Sequence, residues 1–200
     1  MKLYAISDLH VGFEVNRDAL ASIPPHRDDW LILGGDVCES EEDLLFALDV
    51  LGSRFAKLIW VPGNHELWTT HADGLRGEDK YRRFVSLCTE RGVVTPEDAY
   101  PIWPGEGGEH LIAPLFLLYD YTFRPDHIPV NQAVAWAAES GIQCADESLL
   151  HPDPFPSRSA WCHARCEATA TRLDEATRHH DRPTVIVNHF PLLHEVRYAV

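Results

Sequence analysis

Five residues of metal-ligand type close the apolar runs of this chain, each with glycine or a turn beside it. Asp8 and His10 end Ile-Ser-Asp-Leu-His, Asp36 follows Leu-Gly-Gly, Asn64 follows Pro-Gly, and His189 follows Val-Asn. A backbone that repeatedly delivers a carboxylate, an imidazole or an amide at the end of a strand-like run is assembling one shared site where the strands converge. The donors are oxygen and nitrogen only, so a structural cysteine-rich zinc site is not what is being built, and the number of donors suits two metal ions.

The apolar runs alternate with helical patterns. Strands are expected at Lys2 to Ser7, Trp30 to Leu33, Lys57 to Val61 and Thr184 to Val187, with helices near Asn16 to Ser22, after Ser40, from Asp79 to Arg91 and from Ser159 to about Arg178. Ser40 followed by Glu41, Glu42 and Asp43 reads as an N-cap with an acidic first turn, and Leu44, Leu48 and Leu51 then repeat on one helix face. Two further strands, Leu111 to Ala113 and Leu115 to Tyr119, are expected on either side of Pro114. Between Arg124 and Ser157 prolines interrupt every element, which predicts a mostly ordered excursion on the surface. The alternation is that of an α/β fold with parallel strand pairs.

Composition narrows the function classes. The 200 residues suit one domain, and no linker or repeat divides them. A net charge of -14 argues against nonspecific nucleic-acid binding and against an anionic membrane surface. No run approaches the ~20 apolar residues of a membrane helix, and the N-terminus lacks a signal-peptide core, so a cytoplasmic location is expected. Five irregularly spaced cysteines fit reduced thiols. Cys162 and Cys166 read as part of a core helix face continuing through Thr169, Leu173 and Ala176, not as a metal clip with His163. His179-His180 reads as the cationic complement of a helix end.

The chemistry follows from the donors. Two divalent ions bring four positive charges against the two negative ones of Asp8 and Asp36, so an anionic phosphate oxygen is the natural guest. Gly34 and Gly35 let the Asp36 carboxylate lie between the ions, and water held there reaches a pKa of about 7, which supplies hydroxide without a protein base. His65, beside Asn64, is then the candidate proton donor to the leaving oxygen. Trp68, Tyr119, Tyr121 and Phe123 are candidates to line a substrate cleft, with Asn64, His65, Trp68 and Tyr121 as the substrate-binding set.

Asp8-Leu9-His10, Gly34-Gly35-Asp36, Gly63-Asn64-His65-Glu66 and Asn188-His189 resemble, in order, the signature blocks of the calcineurin-like metallophosphoesterase family. The resemblance implies a sandwich of two sheets flanked by helices and a dinuclear centre of manganese, iron or zinc. In it Asp8 and His10 bind the first metal, Asp36 bridges, and Asn64 and His189 bind the second. The runs Phe55 to Thr70, Gly92 to Trp103, Phe116 to Pro125, Asp146 to Cys166 and Pro183 to Leu193 are similar to phosphopantetheinyl hydrolases of that family, which cleave phosphopantetheine from the serine of carrier proteins. That implies a phosphodiester substrate, hydrolysed by hydroxide held between the metals, and a carrier-protein partner. An acidic partner would need a locally basic rim, for which Arg76, Arg82, Arg83 and Arg124 are the candidates. The family's closing Gly-His-x-His block has no counterpart, so the expectation is one domain over residues 1–200 with its C-terminal part missing. The rival readings are a truncated or noncatalytic binding module and a nuclease, against which the acidity counts. Asp36→Asn is expected to cost far more hydrolysis of bis(p-nitrophenyl) phosphate than His163→Ala; equal, mild losses in the two variants would refute the assignment.

Overall fold

Trp30, Leu31, Ile32 and Leu33 are four consecutive buried residues, and consecutive residues of a strand point to opposite faces, so this segment has to be covered on both sides. The computed structural model, which describes residues 1–70, 74–179 and 181–195, shows how. Strands β1 (Leu3–Ile6), β2 (His26–Leu33) and β3 (Phe55–Trp60) form a parallel sheet in the order β1-β2-β3. Helices α1 (Glu14–Ser22) and α2 (Glu41–Gly52) make the two crossovers. Leu31 and Leu33 join Leu58 and Trp60 in the larger core beneath the helices, whereas Trp30 and Ile32 join Ile59 in a smaller core on the opposite face.

The smaller core is closed by Ile112 of a second sheet. There β4 (Ile102–Gly105) pairs antiparallel with β5 (Gly108–Pro114), which pairs parallel with β6 (Thr184–Val187). The result is the expected two-sheet α/β sandwich flanked by helices. Helix α2 carries the Ser40 cap, whose hydroxyl oxygen accepts from Asp43 N at 3.1 Å, and buries Leu44, Leu48 and Leu51. Helix α3 (Gly77–Thr89) buries Tyr81, Phe84 and Cys88 as its spacing predicts. Among the described residues no helix is long and apolar enough to cross a membrane.

Three expectations are corrected. Leu115 to Tyr119 is not a strand: beyond Leu115 N, which donates to Val187 O, the backbone of Leu117 is paired by the side chain of Asn188 instead of a neighbouring strand. The strand partner that was missed is β4, where Pro104 is tolerated because that strand lies at the sheet edge. The excursion between Arg124 and Ser157 also contains helices α4 (Ala133–Glu139) and α5 (Asp146–Leu149), since its prolines sit at 125 and 129 and again at 152, 154 and 156, leaving the alanine-rich middle free to coil. In α6 (Arg158–Thr177) Cys162 and Thr169 are buried, but Cys166 is exposed and Arg165 takes the inward place between them. All five cysteines are free thiols. His179 is exposed just past α6; His180, the other half of that expected pair, lies outside the described residues.

Arg165 can be buried because it is answered. Its guanidinium bonds Glu97 at 2.7 Å and faces the rings of Tyr81 and Phe116, and the Tyr81 hydroxyl donates to the same carboxylate at 2.7 Å. Burial alone would push the Glu97 carboxyl up, but the Tyr81 hydrogen bond and the Arg165 and Arg82 charges outweigh it and hold it at about 2. An unfolded glutamate titrates at about 4.3. The stabilisation is therefore complete above that pH and is lost as the pH falls from there through the folded value. Arg165→Met, which leaves the carboxylate without its main partner, is expected to destabilise the fold by about 3 kcal/mol in urea titration at pH 7. The same deficit should shrink steadily in titrations carried from pH 4.5 to pH 2; a deficit independent of pH would contradict this account.

Candidate metal centre

The loops after β1, β2 and β3 meet at one end of the first sheet and are stitched by backbone hydrogen bonds: Asp8 N to Gly35 O at 3.0 Å, His10 N to Asp36 O at 3.1 Å and Val11 N to Val37 O at 3.0 Å. Asp8, His10 and Asp36 all adopt positive φ, at 56°, 42° and 53°. Left-handed backbone costs an L-residue about 1–2 kcal/mol, so these residues are held by their surroundings and not by preference. Two glycines make the approach possible. A Cβ on Gly63 would fall 2.0 Å from Asp36 Oδ1, and one on Gly35 (φ 96°) would fall 2.6 Å from His189 Nδ1.

Beneath these loops lies Glu66, which the sequence marked as part of a block but gave no role. It is fully buried, and its carboxylate accepts from Asp36 N at 3.0 Å, Val37 N at 2.7 Å and Gly63 N at 2.8 Å. Burial, and then the neighbouring Asp36 charge, push its carboxyl up to about 6 against the pull of those amides.

The side chains above it gather in two groups, Asp8 with Asp36 and His189, and His10 with Asp36 and His65, each with one donor atom per residue within 4.8 Å of the others. Asp36, buried to 4%, is the shared member. Its Oδ1 accepts from His65 N at 3.0 Å, and its Oδ2 lies 3.5 Å from His189 Nε2 and 3.8 Å from His65 Nε2. The pairing of Asp8 with His189, and of His10 with His65, differs from the division of ligands that the family resemblance implies. Among the described residues no cysteine enters either group.

The donor atoms are prepared for cations. His189 Nδ1 donates to Gly34 O at 2.9 Å, which fixes the ring and turns Nε2 toward Asp36. Asn64 donates its amide nitrogen to Asp146 at 2.9 Å, leaving the carbonyl oxygen as the free donor atom. Burial would lower the His189 pKa, yet the hydrogen bond and charge of Asp36 raise it to about 9. Burial likewise tends to raise the Asp36 carboxyl, and His189 more than reverses it. A proton held this firmly marks a place where a metal cation fits the local potential.

Around the groups stand residues that spacing did not identify. Glu39 Oε1 lies 2.9 Å from His65 Nδ1, so the imidazole is held with Nε2 toward Asp36, and the ring packs on Trp68 at 3.6 Å between centroids. Asp146, 2% exposed, also accepts from Trp68 Nε1 at 2.6 Å and from the Tyr119 hydroxyl at 3.0 Å. Trp68 thus lies against the groups, whereas Tyr121 stands one ring further out, 5.3 Å from Tyr119, with its hydroxyl on Glu147 at 2.8 Å. Phe123 is beside His194. The expected basic rim is not free: Arg76 meets Asp153, Arg82 meets Glu78 and Glu97, Arg83 meets Glu41, and Arg124 is turned onto backbone carbonyls of Tyr121 and Ile128. Asp146 and Glu39 lie far in sequence or outside any glycine-flanked block, and only the fold brings them in.

Comparison with known proteins gives the family of the chain. Residues 1–199 match the family model described as calcineurin-like phosphoesterase. The acyl-carrier-protein phosphodiesterase PptH of Mycobacterium tuberculosis is 49% identical over 197 residues, covering 96% of this chain and 60% of the relative, so the chain spans well under two thirds of that protein's length. The crystal structure of phosphopantetheinyl hydrolase (PptH) from the same organism superposes with a TM-score of 0.93 at 48% identity, covering 99% of this chain and 71% of the other. With its two sheets, its loop ends and its clustered aspartates and histidines, the chain belongs to the calcineurin-like phosphoesterase family.

Proposed function

We propose that this chain carries a dinuclear metal-dependent phosphodiesterase site that releases phosphopantetheine from the serine of a carrier protein. The observation that supports it most is the single buried carboxylate of Asp36 shared by both groups of donors, in a chain nearly half identical to an acyl-carrier-protein phosphodiesterase. Asp8, His10, Asp36, Asn64 and His189 are the proposed ligands, and manganese, iron and zinc all suit a set of nitrogen and oxygen donors. When bound, two such ions neutralise the phosphodiester charge and lower the pKa of water at the site.

The remaining steps belong to the side chains. Asp36, its Oδ1 fixed by His65 N, keeps Oδ2 aimed between the donor groups. Asn64, oriented by Asp146, has its side-chain carbonyl oxygen left to serve a metal. His65 is held through Nδ1 by the Glu39 carboxylate with Nε2 toward Asp36 and the reacting centre, which places it to give a proton to the serine oxygen as that oxygen leaves. Trp68 closes one side and limits the water that reaches His65. The neutralised arginines leave no strong field to draw in nucleic acid, which disfavours the nuclease reading, and by the same token a carrier protein is held by contacts at the cleft and not by long-range attraction.

Manganese-dependent turnover of bis(p-nitrophenyl) phosphate, together with release of phosphopantetheine from a holo carrier protein detected by mass, is the expected result. Absence of bound metal and of turnover would support a binding module, and cleavage of RNA or DNA in preference to the carrier protein would support a nuclease. His65→Ala is expected to lower kcat about 10²- to 10⁴-fold; metal content at the wild-type level assigns His65 to proton transfer, and loss of one metal assigns it to the ligand group with His10 and Asp36 instead. Glu66→Gln sets an amide against three backbone N–H groups and should weaken metal binding about 10- to 100-fold in a chelator competition; full affinity would show that the loops do not depend on it.

A further inference from the structure

Beside the metal groups lies a cavity of about 380 Å³ whose lining is mostly apolar. We propose that this cavity, walled by Tyr119 and Tyr121 on one side and by Ala133, Val134 and Ala137 of α4 on the other, seats the pantetheine arm of the substrate. The arm is an uncharged chain of methylene and methyl groups joined by two amides, with one hydroxyl along it and a thiol at its end. The proposal rests on the phosphodiesterase reading and specifies where that substrate's distinguishing half lies.

Its position carries the first part of the argument. The Tyr119 hydroxyl donates to Asp146 at 3.0 Å, and the same carboxylate takes the Asn64 amide at 2.9 Å, so the cavity wall and the proposed metal ligand share one anchor. A second cavity of about 320 Å³ also has Tyr119, Tyr121 and Ala133 in its lining and reaches Phe190, the residue after His189. A phosphate held at the metal groups therefore has a continuous path along these two rings for whatever is attached to it.

The chemistry of the walls carries the second part. Among the described residues the lining of the larger cavity holds no Lys, Arg or His, so it offers nothing to a second phosphate or a nucleotide end. Its one charged side chain, Glu147, is already bonded by Tyr121 at 2.8 Å and by Arg158. Val134 and Ile142 line it while 43% and 63% exposed, apolar surface that an occupant would cover. Gln143 and Ser148 supply the few polar groups that a chain with amides needs in such a place. A bare aryl phosphodiester reaches none of this, so the cavity separates substrates by their arm.

The test uses the manganese-loaded full-length protein and two independent readouts. Cys144 lines the cavity and Cys166 is exposed elsewhere, so alkylation of the two thiols, followed by peptide mass at alkaline pH, reports occupancy without requiring turnover. Pantetheine with its own thiol methylated, so that it consumes no alkylating reagent, is expected to slow alkylation of Cys144 and not of Cys166, and Ala137→Phe, which fills the cavity from the helix, is expected to remove that protection. In kinetics Ala137→Phe should raise KM for a phosphopantetheinyl carrier protein about ten-fold relative to the KM for bis(p-nitrophenyl) phosphate. Ala135→Phe, on the same helix outside the lining, should not change that ratio. Coenzyme A methylated on its thiol in the same way, which carries the same arm with a nucleotide, should protect Cys144 less than the methylated pantetheine does. Hydrolysis of the carrier protein with an unaltered KM ratio in Ala137→Phe overturns the arm site and leaves the phosphodiesterase reading standing. Protection by pantetheine that Ala137→Phe abolishes, without hydrolysis of the carrier protein, supports the arm site and overturns that reading. Absence of protection overturns the arm site.

Discussion

The carboxylate of Glu66, buried under three loops, is the constraint from which the rest of the centre follows. Loops that end parallel strands have no ladder to hold them, and their amide groups must find acceptors or remain at the surface. By taking the N–H groups of Asp36, Val37 and Gly63 together, one side chain fixes the loops after β2 and β3 to each other. The loop after β1 is then tied to that pair through the backbone of Gly35, Asp36 and Val37. Three residues with left-handed φ are tolerated only because this frame over-determines them. The strain and the carboxylate are thus two sides of one arrangement: the frame spends stability to aim side chains inward that an unstrained turn would send to solvent.

The frame also explains the electrostatics. Asp36 and Glu66 lie close together out of water, and the resulting negative potential draws the proton of His189 into the place a cation suits. The acidity of the whole chain plays no part in this, because the groups that matter are buried and near one another, whereas the excess carboxylates of the surface are screened by water and salt.

Much of this was legible in the sequence. The β-α alternation, the Ser40 cap, the Leu44, Leu48, Leu51 face and the convergence of Asp8, His10, Asp36 and His189 follow from local pattern, because strand ends and glycines announce themselves over a few residues. What stayed hidden depends on distance in sequence. Asp146 is 82 residues from Asn64, and no local rule connects them. Glu39 resembles any acid at a helix approach until the fold sets it behind His65. Leu115 to Tyr119 has the composition of a strand, yet what lies beside it is the amide of Asn188, which periodicity cannot distinguish from a neighbouring backbone. The inward place of Arg165 was missed for a related reason, since a buried guanidinium is acceptable only where a carboxylate and aromatic rings happen to wait for it.

Asn188 grips Leu117 from both sides, its oxygen taking that residue's N–H at 2.9 Å and its nitrogen giving to the carbonyl at 3.2 Å. The next residue in one direction is His189, and two along from Leu117 is Tyr119, so a ligand of the centre and the first ring of the aromatic wall are clamped by one side chain. The two cannot drift independently. A lineage that altered the preferred attachment on the phosphate would have to leave this side of the cleft untouched and remodel the opposite bank at helix α4 (Ala133–Glu139), which precedes Asp146 and its hold on Asn64.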